Sequence, residues 1–75
     1  MKNIKVGIIG GAGYTGGELL RILVNHPNVE ITFVHSNSNA GNPLFQVHTD
    51  LIGETDLLFT NELSQDIDVL FLCVG

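Results

Sequence analysis

Seventy-five residues, with three bases against eight acids, give a net charge of −5 and a chain about half as long as single domains, which cluster at roughly 100–150 residues. The bases are Lys2, Lys5 and Arg21, so the chain offers neither a basic stripe for nucleic acid nor a cationic patch for an anionic membrane surface. One cysteine makes no internal disulfide, one thiol beside three scattered histidines makes no zinc site, and 44% apolar residues with a mean hydropathy of +0.30 exclude a disordered segment.

Ile4-Lys5-Val6-Gly7-Ile8-Ile9 is β-branched and turns continuously apolar, which predicts a parallel strand buried on both faces. Its apolar stretch, Val6 to Gly10, is too short for a signal-peptide core, and no run approaches the ~20 residues that span a bilayer. A reduced, cytoplasmic setting is therefore expected. The strand leads into Gly10-Gly11-Ala12-Gly13-Tyr14-Thr15-Gly16-Gly17, after which the period changes from two to about 3.6. Leu19, Leu20, Leu23 and Val24 then form one apolar stripe, with Glu18, Arg21 and Asn25 opposite it and Glu18 and Arg21 spaced for a weak ion pair. Pro27 ends the helix, and His26 before it reads as a cap or surface residue.

Glu30 to His35 predicts a second strand, and Ile4 to His35 has the length of one right-handed βαβ crossover. Ser36 to Pro43 carries turn residues at nearly every position. Leu44 to Leu51 is compatible with a short helix or a loop. Asp56 to Thr60 is a weaker strand candidate, Asn61 to Gln65 one helical turn, and Asp68 to Val74 a strong buried strand. Because the chain stops at Leu70-Phe71-Leu72-Cys73-Val74-Gly75 with no polar tail, it reads as the N-terminal piece of a larger α/β protein. Made and folded alone, it is expected to be aggregated or molten, its last strand lacking covering helices.

Gly11-Ala12-Gly13-Tyr14-Thr15-Gly16 satisfies G-x-G-x-x-G, and Gly10, Gly13 and Gly16 satisfy a G-x-x-G-x-x-G variant. Standing between a strand and a helix, the pattern has the context that makes it a dinucleotide fingerprint. The glycine leaving the strand permits a tight turn with positive φ. One without a side chain admits a pyrophosphate to the backbone, and one in the helix allows close packing on the strand. The first helical N–H groups have no internal partners and point at the anion, helped by the helix dipole. Gly10, Gly11, Ala12, Gly13, Tyr14, Thr15 and Gly16 are thus the candidate diphosphate contacts, with Tyr14 either shielding the diphosphate or packing on the helix start. No Gly-Lys-Ser/Thr follows, so the loop is not a Walker A.

An NAD-binding unit usually places Asp or Glu about 20 residues beyond the glycines, for the ribose hydroxyls. Here the second strand ends in His35-Ser36-Asn37-Ser38, and Glu30 is at its beginning. The missing carboxylate removes repulsion toward a 2′-phosphate, and Ser36, Asn37 and Ser38 can donate to phosphate oxygens, favouring NADP over NAD. The same stretch also reads as a plain turn, with His35 either a cofactor contact or turn packing. Val74 and Gly75 fall at the carboxyl end of a strand, where open α/β sheets bind ligands, and are candidate nicotinamide-side contacts. Cys73, between Leu72 and Val74, reads as a small core hydrophobe. His48 has no partner at metal-ligand spacing, and no metal site is expected.

Val6 to Leu23, with Gly13-Tyr14-Thr15-Gly16-Gly17-Glu18-Leu19 at its heart, followed by His26-Pro27-Asn28-Val29-Glu30, closely resembles the start of the N-acetyl-γ-glutamyl-phosphate reductases. The likeness continues through Ala40-Gly41, His48 and Asp68-Val69-Leu70-Phe71-Leu72. It departs at Asn37 and Asn42, where family members often carry Arg and Lys, and at His48-Thr49-Asp50-Leu51, to which no family role transfers. The resemblance implies a Rossmann-type doubly wound parallel sheet, of which residues 1–75 are an incomplete NAD(P)-binding domain. It implies NADPH-dependent reduction of N-acetyl-γ-glutamyl phosphate to the semialdehyde in arginine biosynthesis, by a cytoplasmic enzyme that is a homo-oligomer at full length. A small acyl-phosphate is then its partner, rather than nucleic acid or membrane. In the family a cysteine thiolate attacks the acyl phosphate, NADPH delivers hydride to the thioester and a histidine serves as acid/base; these groups are expected beyond Gly75. An aspartate-type semialdehyde dehydrogenase of the same architecture and a non-catalytic NADP-binding module are the alternatives.

Overall fold

The structure, a computed structural model, describes residues 3–73. Strand β1 (Ile4–Ile9) leads through the glycine loop to helix α1 (Tyr14–Val24), which returns the chain to strand β2 (Val29–His35). Helix α2 (Leu44–Val47), a 3-10 turn (Thr49–Leu51) and strands β3 (Phe59–Thr60) and β4 (Val69–Leu72) follow. The strands form one parallel sheet in the order β3-β2-β1-β4. The chain thus steps outward from β1 to β2 and β3, then crosses back to β1's other edge. This is the doubly wound, Rossmann-type arrangement that the sequence predicts.

Hydrophobic burial explains the placement of each element. Val6 and Ile8 of β1 and Val34 of β2 point to one face of the sheet, where Leu20 and Leu23 of α1 cover them. Leu44, Leu51 and Phe59 close the same core, all at 1% exposure or less. The α1 helix ends as expected. The backbone N–H of His26 donates to the Leu23 carbonyl, and the imidazole Nδ1 of His26 accepts from the N–H of Asn28, which settles His26 as a turn-capping residue.

Some elements differ from expectation for local reasons. The open choice over Leu44 to Leu51 resolves as one helical turn and one 3-10 turn. Strand β3 is shorter than Asp56 to Thr60, because Thr55 Oγ1 accepts from the N–H of Leu57 and Leu58 pairs antiparallel with Pro43 instead. The expected helical turn at Asn61 to Gln65 is absent. Thr60 Oγ1 accepts from the N–H of Glu62, and Ser64 Oγ from that of Asp66, so side-chain turns replace the helical hydrogen bonds. Strand β4 is present, but it is not buried: Val69, Leu70 and Leu72 are 40%, 46% and 65% exposed. Apolar composition predicts burial only when something covers the strand. Among the described residues β4 lies at the sheet edge, and Ile9, Phe33, Leu63, Ile67 and Leu70 line an open groove on the face away from α1.

Strand β4 is held at its amino end by Lys5. The Lys5 N–H donates to the Asp68 carboxylate at 2.9 Å, Asp68 N–H donates to the Lys5 carbonyl at 2.7 Å, and Lys5 Nζ pairs with Asp66 at 3.0 Å. The Asp66 carboxylate raises the Lys5 pKa above its ordinary value, foremost through that hydrogen bond.

An uncovered apolar edge strand is a template for association. The 75-residue polypeptide expressed by itself is expected to bind the dye ANS and to elute as mixed oligomers in size-exclusion chromatography. Replacing Leu70 and Leu72 together by Thr should reduce both signals. A monodisperse chain that binds no dye would contradict this.

Candidate functional site

The register of the parallel strands sets Ile9 beside His35, so the carboxyl ends of β1 and β2 lie side by side. The carbonyl of His35 accepts from the N–H groups of both Gly10 and Gly11, at 3.1 and 3.2 Å. That shared acceptor pulls the loop sharply off the end of β1. Gly10 takes φ +83°, a left-handed conformation that an L-residue with a Cβ rarely adopts, so the expected turn glycine is real. At the far end of the loop a Cβ on Gly16 would lie 2.7 Å from Gly11 Cα and 2.8 Å from the Gly10 carbonyl oxygen. Both obstacles are backbone and neither can rotate away.

Gly13 is different in kind. It is the N-cap of α1 with φ −79°, open to any residue, and a Cβ there would meet nothing closer than the Gly10 oxygen at 3.8 Å. The fold itself therefore tolerates a side chain at Gly13. No side chain caps α1, and the N–H groups of Tyr14, Thr15 and Gly16 have no acceptor among the described residues. A row of free donors at the positive end of an eleven-residue helix, over an exposed glycine, fits an anionic group such as a diphosphate.

Tyr14 is 84% exposed and so does not pack on the helix start. Across the loop, Ser36 follows β2, with its N–H donating to the Thr60 carbonyl at 2.9 Å. Ser36 is buried, whereas Asn37 and Ser38 are exposed. Asn39 Nδ2 donates to Ser38 Oγ, which leaves the Ser38 hydroxyl proton free to donate outward. The structure thus brings Gly10–Gly16 and Ser36–Ser38 to one rim of the sheet. The remaining candidates, Val74 and Gly75, lie outside the described residues. Cys73 packs against the core cluster, and its N–H donates to the Ile9 carbonyl at 2.8 Å. Among the described residues, no three His, Cys, Asp or Glu side chains cluster as a metal site, and no helix is long and apolar enough to cross a membrane.

One residue at this site was not anticipated. His48 Nε2 lies 2.6 Å from the carbonyl oxygen of Gly11, and its ring sits where a Cβ on Gly17 would be, 2.7 Å from that position. The sequence held two hints: the family likeness that extends to His48, and Gly17, a second helical glycine where the fingerprint asks for one. Arg21 ties the same segment to α1: Nη1 binds Glu18 at 2.9 Å, as the spacing predicts, and Nε binds Asp50. The Arg21 hydrogen bond holds the Asp50 carboxyl below its ordinary pKa, and the two carboxylates hold Arg21 above its own.

Comparison with known proteins agrees with this geometry. The family model "Semialdehyde dehydrogenase, NAD binding domain" matches residues 5–75. The chain is 66% identical over 73 residues to a Phocaeicola vulgatus protein named N-acetyl-gamma-glutamyl-phosphate reductase, covering 96% of this chain and 23% of that protein. Proteins of the same name from Bacteroides fragilis and Flavobacterium johnsoniae are 65% and 56% identical, again over 96% of this chain and over 23% and 22% of their own lengths. The chain therefore spans less than a quarter of the relatives it matches.

The Arg21–Asp50 pair carries a pH dependence of known sign. A carboxyl whose pKa is depressed on folding stabilises the fold above its unfolded value and loses that contribution as pH falls through the folded one. The pair is solvent-exposed, so the effect is small and salt-screened. In the full-length protein, Asp50→Asn should lower the melting temperature slightly at pH 7, by an amount that shrinks as the pH falls below the ordinary Asp value of about 3.9 and vanishes only below the depressed value in the fold. Thermal melts of both proteins from pH 7 to pH 3 check this; a gap that widens on acidification would contradict it.

Proposed function

The chain belongs to the semialdehyde dehydrogenase family, whose NAD-binding domain it matches, and we propose that it is the dinucleotide-binding part of an NADPH-dependent N-acetyl-γ-glutamyl-phosphate reductase. The cofactor class, a nicotinamide dinucleotide, follows from the family. Residues 1–75 form part of one domain in this reading, and the groups that act on the acyl phosphate lie elsewhere in the protein. The full-length protein is then a cytoplasmic homo-oligomer whose partner is a small acyl phosphate.

The observation that carries the reading is the pairing of Gly13 with the uncapped start of α1. The fold has no steric use for a bare Cα at Gly13, yet the donors of Tyr14, Thr15 and Gly16 stand open beside it. A diphosphate approaching the backbone uses both features. Bound NADPH supplies the hydride; this chain's residues hold its anionic middle and adenosine end. Tyr14, exposed at the start of α1, shields the diphosphate from water in this reading.

NADP is favoured over NAD by the absence of a carboxylate after β2, where the chain reads His35-Ser36-Asn37-Ser38. The Asn37 amide and Ser38 hydroxyl are exposed donors there, and Ser36 is the buried residue that leads into them. Each hydrogen bond to a charged phosphate is worth roughly 1.5–3 kcal/mol, and each 1.4 kcal/mol is about tenfold in affinity. NADPH should therefore bind the full-length protein at least about tenfold more tightly than NADH, as read by titration calorimetry. Equal affinities would overturn the NADP preference.

Gly13→Val tests the site itself. The mutant should still fold, since a Cβ there meets nothing closer than the Gly10 oxygen at 3.8 Å, with a melting temperature lowered only by the loss of a favourable N-cap residue, but it should lose measurable binding of both nucleotides. Retained binding would show that the loop is only a turn.

A further inference from the structure

We propose that His48 is a positioning residue for the dinucleotide site, acting through the Gly11–Ala12 peptide and not through contact with the cofactor. The inference rests on the reading of the glycine loop as the diphosphate cradle. A carbonyl oxygen can only accept, so the 2.6 Å contact between His48 Nε2 and Gly11 O requires the proton to sit on Nε2. The peptide unit is planar and trans, so its C=O and N–H point in opposite directions. Anchoring the Gly11 carbonyl on the His48 side therefore aims the N–H of Ala12 the other way, out of the loop. Without the anchor that peptide lies between glycine and alanine in a glycine-rich turn, with little to stop it rotating about the flanking bonds. Rotation would present a carbonyl oxygen to the anion where a donor is needed.

The surroundings of the ring fit this task. His48 is half-buried and its ring lies tilted against Phe59, with centroids 6.3 Å apart. Gly17 leaves the space the ring occupies, because a Cβ there would be 2.7 Å from both Nδ1 and Cε1. Its backbone is fixed from both sides: His48 N–H donates to the Leu44 carbonyl, and the His48 carbonyl accepts from Leu51 N–H. The Arg21–Asp50 pair then ties the turn that follows His48 to the helix that begins at the loop. The loop is thus braced by a segment more than thirty residues downstream of it.

The test uses the full-length protein and three variants, with melting temperature and NADPH affinity measured on each. His48→Phe keeps an aromatic ring beside Gly17 and Phe59 but has no donor; it is expected to weaken NADPH binding about tenfold or more. His48→Gln restores an N–H at similar reach and is expected to recover most of the affinity. Gly17→Ala drives the ring off its seat, so affinity should fall, while the gain in helix propensity offsets part of the cost of displacing the ring. His48→Phe or Gly17→Ala binding NADPH as tightly as the unmodified protein would overturn the proposal. Equal losses in the Phe and Gln variants would overturn it too, by showing that the ring's shape matters and its proton does not. Should His48→Phe fail to fold, Gly17→Ala and His48→Gln decide alone. The Gly13→Val variant keeps the two readings apart: if it still binds NADPH, the cradle reading fails, whereas loss in Gly13→Val with none in the His48 and Gly17 variants fails the positioning role only.

Discussion

Everything at this site depends on how closely the start of α1 can approach the end of β1. The separation is set at Gly16, whose Cα faces the backbone of Gly10 and Gly11 with no room for one more carbon. That contact lets the helix begin directly over the turn, so its free N–H groups open onto the same rim as the carboxyl ends of β1 and β2. A larger residue at Gly16 would push the helix outward and separate the donors from the loop. The core then follows: with α1 seated, Leu20 and Leu23 reach Val6, Ile8 and Val34 and leave water.

Electrostatics complete what sterics begin. A chain with net charge −5 is an unpromising host for a polyanion, but the charge is not spread evenly. Gly10 to Gly17 and Ser36 to Pro43 contain no carboxylate at all. Asp66 and Asp68 are engaged with Lys5 at the opposite end of the sheet, and Glu18 and Asp50 are matched by Arg21. The rim is left with backbone donors and a helix dipole, whose influence falls off within one turn and so is felt only by a group that comes to the backbone. Net charge therefore says little here about the ligand, while the placement of the acids says a good deal.

The elements that could be read from the sequence were those whose cause is local. The β-branched run of β1, the glycine spacing and the 3.6-residue stripe of α1 each contain their own explanation, and they appear where expected. The misreadings have a common origin in competition from elsewhere. The Asn61 to Gln65 turn was lost to the hydroxyls of Thr60 and Ser64, which offer the backbone a different partner. β4 was legible as a strand, and its exposure among the described residues agrees with the expectation that the chain alone leaves its last strand without covering helices. His48 was the least legible of all: its hydrogen bond spans 37 positions, and no spacing rule connects a histidine to a carbonyl so far upstream.

Glycine gives this loop its shape and also its weakness. Each glycine loses more conformational freedom on ordering than any other residue, so an unsupported loop of this kind would have to be ordered by the ligand, at the expense of affinity. The fold supplies the order beforehand, one peptide at a time. The His35 carbonyl holds the N–H groups of Gly10 and Gly11, His48 holds the Gly11 carbonyl, and the Gly13 carbonyl accepts from Gly17 N–H in the first helical turn. What remains uncommitted is the set of donors on the open side. Gly13 is the one fingerprint glycine that these constraints leave without a structural duty, and its bare Cα is where protein packing stops and ligand packing begins.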